Sequence, residues 1–368
     1  MSILLFIVIL GTLVVVHELG HFLAARRSGV RVEEFGLGFP PRLFGRRYGA
    51  TLYSINAIPF GGFVRLHGEQ SGEQADQGSF QAASTPKKVL IMAAGVLMNY
   101  ALAWVILTAV FSTGVTVDPS TVKLDSGATL TNRQTQAIVT TGGVAEQSGL
   151  ATGDQIITIN GRIFSSTEEI AAFARQANFP PLTFDVIHGN VRRQVTLQAK
   201  PVVDPQAPHY EFGLAASATV TYPWYTAPWV GLRSTISLSW QSVVGFGQVI
   251  SQFVRSGRLS QDVAGPVGIA VLTGEVTRLG ASSLLQFVAL LSISLAVINF
   301  LPIPALDGGR AWLLIIQRVI RRTISPRVEN YIHAAGFYAL LLMILLISIR
   351  DVRRFELIDR VIKIFNPS

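Results

Sequence analysis

Four stretches of this 368-residue chain are long and apolar enough to cross a bilayer: Ile3 to Ala25, Val89 to Phe111, Ala281 to Leu306 and Tyr331 to Ile349. About 20 apolar residues suffice for that. Within hydrocarbon a chain has to satisfy its own backbone polar groups, so each stretch is expected to be a helix. Only 14% of residues are charged, against about 25% in soluble domains, which argues against an ordinary cytosolic enzyme. The net charge of +8 can signal nucleic acid. Here the Lys and Arg residues flank the apolar runs instead of clustering among aromatics, which fits membrane topology and no nucleic-acid partner. The chain has no cysteine, which removes disulfides, Cys-based zinc sites and a thiol nucleophile. The first stretch lacks the basic start and small-residue cleavage site of a signal peptide.

Basic residues set an orientation. Segments 26–88 and 307–330 are rich in Arg and Lys and are expected in the cytoplasm, whereas 112–280 is sparsely basic and is expected outside. Arg350, Arg353 and Arg354 at the end run against that pattern. Val230 to Val254 carries Arg233 with many Ser and Gln, near Trp224, Trp229 and Trp240. Such a segment is expected to lie at the interface without crossing.

The first apolar stretch is interrupted by His17-Glu18-Leu19-Gly20-His21. Two His at i and i+4 share one helix face and can hold one Zn2+. The Glu between them can serve as general base toward water. The plain alternative, polar residues packed in a helix, is costly in a membrane, where ionisable groups mark function. A catalytic zinc has a third protein ligand. Glu33 and Glu34 follow, but they lie in what reads as a strand start. Asp307 lies at the end of the third stretch, in Asn299-Phe300-Leu301-Pro302-Ile303-Pro304-Ala305-Leu306-Asp307-Gly308-Gly309. An Asp-Gly pair is also a common turn. Topology decides between the two. If 230–254 does not cross, the first and third helices run in the same direction, and Asp307 reaches the depth of the two His.

HELGH, Pro59-Phe60-Gly61-Gly62-Phe63-Val64-Arg65 with Gly68-Glu69, Gly95-Val96-Leu97-Met98-Asn99, Gly265-Pro266-Val267-Gly268 and the LDGG segment follow in order along nearly the whole chain. Together they resemble bacterial site-2 proteases of the RseP type, in peptidase family M50. The resemblance implies a polytopic α-helical membrane protein with four transmembrane helices, a membrane-associated β-rich loop and an extracytoplasmic α+β PDZ-like domain. It implies Zn2+ held by His17, His21 and Asp307, with Glu18 as base. Asn299 would hold substrate backbone, and Asn99 is a further substrate-binding candidate. The implied partners are the lipid bilayer and single-span proteins already cut outside, such as anti-sigma factors or signal-peptide remnants. The setting is the bacterial inner membrane, with the active site near the cytoplasmic side. Relatives often carry two PDZ-like modules; one is traceable here.

The expected parts are a first helix with HExxH (1–25), a cytoplasmic or membrane-dipping β loop and connector (26–88) and a second helix (89–112). A PDZ-like domain (120–202) and an interfacial helical segment (220–280) follow. The chain closes with a third helix ending in LDGG (281–306), a cytoplasmic loop (307–330), a fourth helix (331–349) and a tail (350–368). Residues 31–66 alternate short apolar runs with Gly and Pro and read as a small β-structure. It is either a plain hairpin or a clamp that pairs with an unwound substrate by strand addition. Residues 67–88 read as a polar connector, with His67 a solvated loop histidine.

In the insert, Gly142 to Gly161 resembles a PDZ core. A helix is expected from Ser166 to Ala177 with Ser166 or Thr167 as cap, then strands Leu182–Ile187 and Val191–Ala199 around His188-Gly189-Asn190. The insert can bind peptides or ectodomains, filter substrates by size, or act as a spacer. Gly265 to Gly268 reads as a turn leading into the third helix. His188, His209 and His333 receive no role. Two rival functions are a metal-ion transporter, for which Glu18 has no use, and an inactive zinc-binding adaptor.

Overall fold

The computed structural model describes residues 2–69, 76–117, 127–138, 144–151, 153–164, 167–176, 180–188, 191–197, 213–257, 264–322 and 324–355. The chain divides into two compact units, Met1–Thr108 with Gly231–Ser368, and Ala109–Val230.

Among the described residues, four helices are long and apolar enough to cross a membrane. They are α1 (Ser2–Arg27), α2 (Thr85–Thr113), α7 (Ala281–Phe300) and α9 (Pro326–Arg354), so a polytopic membrane protein is the right class. Their bounds depart from the apolar runs at places the local chemistry explains. Helix α2 starts four residues before the apolar run because Pro86 at its second position needs no N–H partner there. Helix α7 stops at Phe300, not Leu306, because Pro302 and Pro304 cannot continue it. Helix α9 begins at Pro326, with the Ser325 hydroxyl accepting from the Val328 N–H. The expected loop at 307–330 instead opens with a further helix, α8 (Asp307–Ile320), and LDGG belongs to its start and not to the end of α7. Along α8, Trp312, Ile315, Ile316 and Val319 are exposed apolar residues among Arg310 and Arg318, the composition of an interfacial helix.

Between α1 and α2 the chain forms one β-ribbon, β1 (Val32–Tyr48) and β2 (Thr51–Leu66), as the alternating pattern of 31–66 suggested. The ribbon is doubled back. Glu34 to Leu37 pair with 62–65 on one side and with 52–55 on the other, while 42–48 pair with 51–56. Glu34, only 3% exposed, accepts from Ser54 and pairs with Arg42 and Arg65. The strand 62–66 lies along α1. Phe22, Ala25, Val30, Val32, Leu66, Phe80, Ile91 and Met92 form the core where α1, the ribbon and α2 meet. Phe80 therefore ties down part of the segment read as a polar connector, and Phe80 N–H donates to the His67 carbonyl. His67, read as a solvated loop histidine, has its two ring nitrogens 2.8 Å from Glu33 and from Asp76. Those two carboxylates raise its pKa above the ordinary histidine value. Residues 70–75 of the connector lie outside the described residues.

Segment 220–280 is the one expected to be interfacial and helical. It holds two helices, α5 (Ala227–Ser256) and α6 (Pro266–Arg278). The part of α5 from Gly231 to Ser239 runs antiparallel along α2. A Cβ on Gly231 would meet the Thr108 hydroxyl at 2.7 Å, and Ser239 meets the Tyr100 side chain. The missing side chain at Gly231 is what lets the two backbones approach. Gly265 to Gly268 is not a turn into the third spanning helix, for it is the first turn of α6. The buried carboxylate of Asp351, from α9, accepts at 2.8 Å from the N–H groups of both Gly265 and Gly268. A Cβ on either glycine would come within 3.0 Å of that same oxygen. The helix start thus takes its cap from 83 residues away in sequence.

The second unit is built on a six-stranded antiparallel sheet in the order β3-β8-β4-β5-β6-β7. The strands are β3 (Val115–Val117), β4 (Thr129–Ile138), β5 (Gln155–Ile159), β6 (Leu182–His188), β7 (Val191–Leu197) and β8 (Gly213–Thr221), with short helices α3 (Val144–Gln147) and α4 (Thr167–Gln176). Strands β3 and β8 extend the sheet beyond 120–202; β8, rich in Ala, Ser and Thr, lacks the apolar alternation that would mark it. Ala145, Leu150, Ile159, Phe184 and Val186 lie in the core. Asp154 is fully buried and held by the Ala151 N–H, Arg193 and His188. Burial opposes its ionisation, but those three partners outweigh it and keep the carboxyl below its usual range. His188 thus has a partner after all. Gly142, Gly143, Ser166, Gly189, Asn190 and His209 lie outside the described residues.

Candidate metal centre

His17 and His21 stand one turn apart on the buried face of α1, 6% and 7% exposed. Asp307, first residue of α8, is brought to them by the return loop 301–306. The Asp307 Oδ2 lies 2.8 Å from His17 Nε2 and 3.2 Å from His21 Nε2, and the two Nε2 atoms are 3.2 Å apart. Among the described residues, this is the group of three His, Cys, Asp or Glu side chains whose donor atoms converge in this way. Glu33 and Glu34, the alternative third ligands, instead engage His67, Arg65, Arg42 and Ser54.

Helix α2 supplies the wall behind the imidazoles. Ile91, Gly95 and Asn99 recur every four residues and so share one face. The Ile91 carbonyl lies 2.8 Å from His21 Nδ1, and a carbonyl can only accept. His21 Nδ1 therefore carries a proton, and in the neutral ring Nε2 offers its lone pair to the centre. The Asn99 side chain meets His17 Nδ1 at 3.3 Å. When His17 offers Nε2, its Nδ1–H finds the carboxamide oxygen by a half-turn of that amide. The Asn99 oxygen is otherwise buried without a partner. Asn99 is 0% exposed and stands behind a histidine. Its carbonyl accepts from Ser292 of α7 at 2.8 Å, which ties α7 to the same wall. Asn299 is on the last turn of α7, half-buried.

Gly95 leaves the space beside the two Nε2 atoms open by having no side chain. A Cβ there would stand 2.4 Å from His21 Nε2 and 2.7 Å from His17 Nε2. Gly20 likewise presses α1 against α2, its absent Cβ 2.3 Å from the Ala94 carbonyl oxygen. The sequence offered Gly95 only as part of a motif, and its spacing of four from Asn99 is the signal that places it in the wall.

With Asp307 ionised and both Nε2 atoms unprotonated, three lone pairs face one point, an arrangement that a cation among them relieves. A tetrahedral ion with bonds of about 2.0–2.1 Å keeps its ligand atoms about 3.3 Å apart. The observed separations of 3.2, 3.2 and 2.8 Å are close to that spacing, and both rings carry the outer hydrogen-bond partners typical of metal-bound histidine. The residues fit zinc.

Glu18 lies under the ribbon. The backbone N–H of Val64 bonds its carboxylate, and Gly62 passes over its side chain. An ion pair between Arg310 and Glu69 joins the end of the ribbon to α8, one turn beyond Asp307.

The peptidase family M50 model matches residues 5–343. A Clostridium perfringens protein, named provisionally as a zinc metalloprotease, is 32% identical over 342 residues, covering 93% of this chain and 96% of its own. The zinc metalloprotease RasP of Geobacillus kaustophilus is 28% identical, with 97% and 99% covered. The regulator of sigma-W protease RasP of Bacillus subtilis is 26% identical, with 96% and 98% covered. With a family match over nearly its whole length, the chain belongs to peptidase family M50.

Proposed function

We propose that this chain is a zinc-dependent site-2 protease that hydrolyses peptide bonds within the transmembrane segments of single-span proteins. The observation that carries this is the convergence of His17, His21 and Asp307 donor atoms on one point, with Glu18 beside them. The three would hold the ion. When bound, zinc supplies a Lewis acid for a carbonyl and makes water more acidic. Glu18 takes the proton from the attacking water and delivers it to the leaving amine. The Asn299 side chain is placed by the reading to hold the substrate backbone, and Asn99 to orient His17.

A peptide bond within a helix is shielded by its own turn, so the substrate has to be extended first. Strand 62–66 is the outer strand of the doubled ribbon and runs over Glu18. Pairing there would present an extended segment at the base. Clusters of Arg at 26–47 and 310–327 support a cytoplasmic side for the ribbon and the site, with the six-stranded unit outside as a PDZ-like size filter. The membrane is then the bacterial inner membrane. The substrates proposed, an anti-sigma factor or a signal-peptide remnant shortened beforehand, are those the resemblance to site-2 proteases implies, and a relative named regulator of sigma-W protease supports a regulatory role.

Two assays test this. Purified protein in detergent is expected to cut a model transmembrane peptide, to stop when a chelator strips it, and to resume with stoichiometric zinc. Helix-breaking residues near the scissile bond should speed cutting. Cleavage indifferent to the chelator would defeat the proposal. In proteoliposomes, removing residues 125–200 should admit substrates with larger ectodomains; unchanged size selection refutes the filter.

A further inference from the structure

We propose that His333, on α9, is a positioning residue for Asp307: it holds the loop that carries that carboxylate, and zinc affinity depends on it. The inference rests on the reading of Asp307 as a metal ligand. Loop 301–306 contains Pro302 and Pro304, which have no N–H to donate. Ile303 N–H is used within the loop, on Leu301 O at 2.7 Å, and Leu306 N–H on Ile303 O at 3.2 Å. The remaining inner donor is Ala305 N–H, and it goes to His333 Nδ1 at 3.0 Å. An acceptor brought from another helix is the way such a group is satisfied at membrane depth.

Ala305 is also in the left-handed region, φ +77°, where a residue with a Cβ is disfavoured. Such backbone persists when its surroundings fix it. The surroundings are one face of α9. Gly336, three residues after His333, lets Pro304 sit against the helix, since a Cβ there would meet the Pro304 Cβ and carbonyl oxygen at 2.6 Å. Ala305 is two residues from Asp307, so a backbone rotation there moves the carboxylate. His333 Nδ1 accepts, so in the neutral ring the proton is on Nε2, which is buried without a hydrogen-bond partner. The work of the side chain is thus on the loop side.

The test is zinc affinity by chelator competition on full-length protein in detergent, with thermal unfolding measured alongside. His333→Ala is expected to weaken zinc binding by about 10-fold, the lower end of what losing a direct outer partner of a metal ligand costs, since His333 acts on the loop and not on the ligand itself. His333→Asn places an oxygen close to the Nδ1 position and should stay much nearer the parent. Adding Ala305→Gly to His333→Ala should recover much of the loss, because glycine tolerates that φ without help. Parental zinc affinity in His333→Ala, beside a loss in Asp307→Ala, would overturn the proposal and leave the metal reading standing. Equal loss in His333→Ala and His333→Asn, with lowered thermal stability and no rescue by glycine, would overturn it in favour of packing. Parental affinity in Asp307→Ala would defeat the metal reading itself.

Discussion

Glu18→Gln is expected to cut a transmembrane peptide about 10²–10⁴-fold more slowly, the usual contribution of a positioned base, while keeping its zinc. The reason is local. Glutamine has nearly the shape of glutamate but accepts no proton. The carboxylate it replaces is held by the Val64 N–H, a bond that the glutamine oxygen can keep. His17, His21 and Asp307 do not depend on it for their contacts with one another. The loss should therefore fall on kcat with little change in KM or metal content. Zinc analysis beside single-turnover cleavage checks it, and wild-type turnover in the variant would remove Glu18 from the chemistry. A transporter would keep its flux in this variant, and an adaptor would show no cleavage before or after the change.

Gly95→Ala is expected to lose both zinc and cleavage, although it adds only a methyl group. That methyl has no room: it would stand 2.4 Å from His21 Nε2 and 2.7 Å from His17 Nε2. Neither ring can simply step aside. His21 is held from behind by the Ile91 carbonyl and His17 by Asn99. Helix α1 is also pressed onto α2 at Gly20, whose missing Cβ lies against Ala94. Displacing reacting groups by about 1 Å costs about 10²-fold in rate, and a spoiled ligand pair costs metal as well. Zinc stoichiometry separates this variant from Glu18→Gln: one keeps the ion, the other does not. Full zinc occupancy in a folded Gly95→Ala protein would mean that the wall is not where α2 places it.

The ribbon illustrates a middle degree of legibility. Its existence is readable in 31–66 from alternation and from the Gly and Pro punctuation, but its doubling back is not. Glu34 pairs with Leu52 and with Arg65 at once, and nothing in a linear pattern specifies two partners for one strand. The same holds for β8, which joins β3 and β4 in the sheet of the second unit from far along the chain, and for α5, whose lie along α2 depends on a missing Cβ at Gly231.

The sequence by itself determined the four membrane helices, because about 20 residues of low polarity have no other stable state in lipid. It also determined the HExxH pair, because a spacing of four fixes two side chains on one face before any tertiary contact forms. The tertiary structure decided how the proposed ligand set is held. It bends the chain after α7 at two prolines, supports a left-handed Ala305 on His333, and starts α8 at Asp307. It also sets Asn99, a candidate for substrate contact, against a histidine. Those outcomes depend on atoms separated by tens to hundreds of residues, and only packing, which fills space with no regard to sequence distance, brings them together.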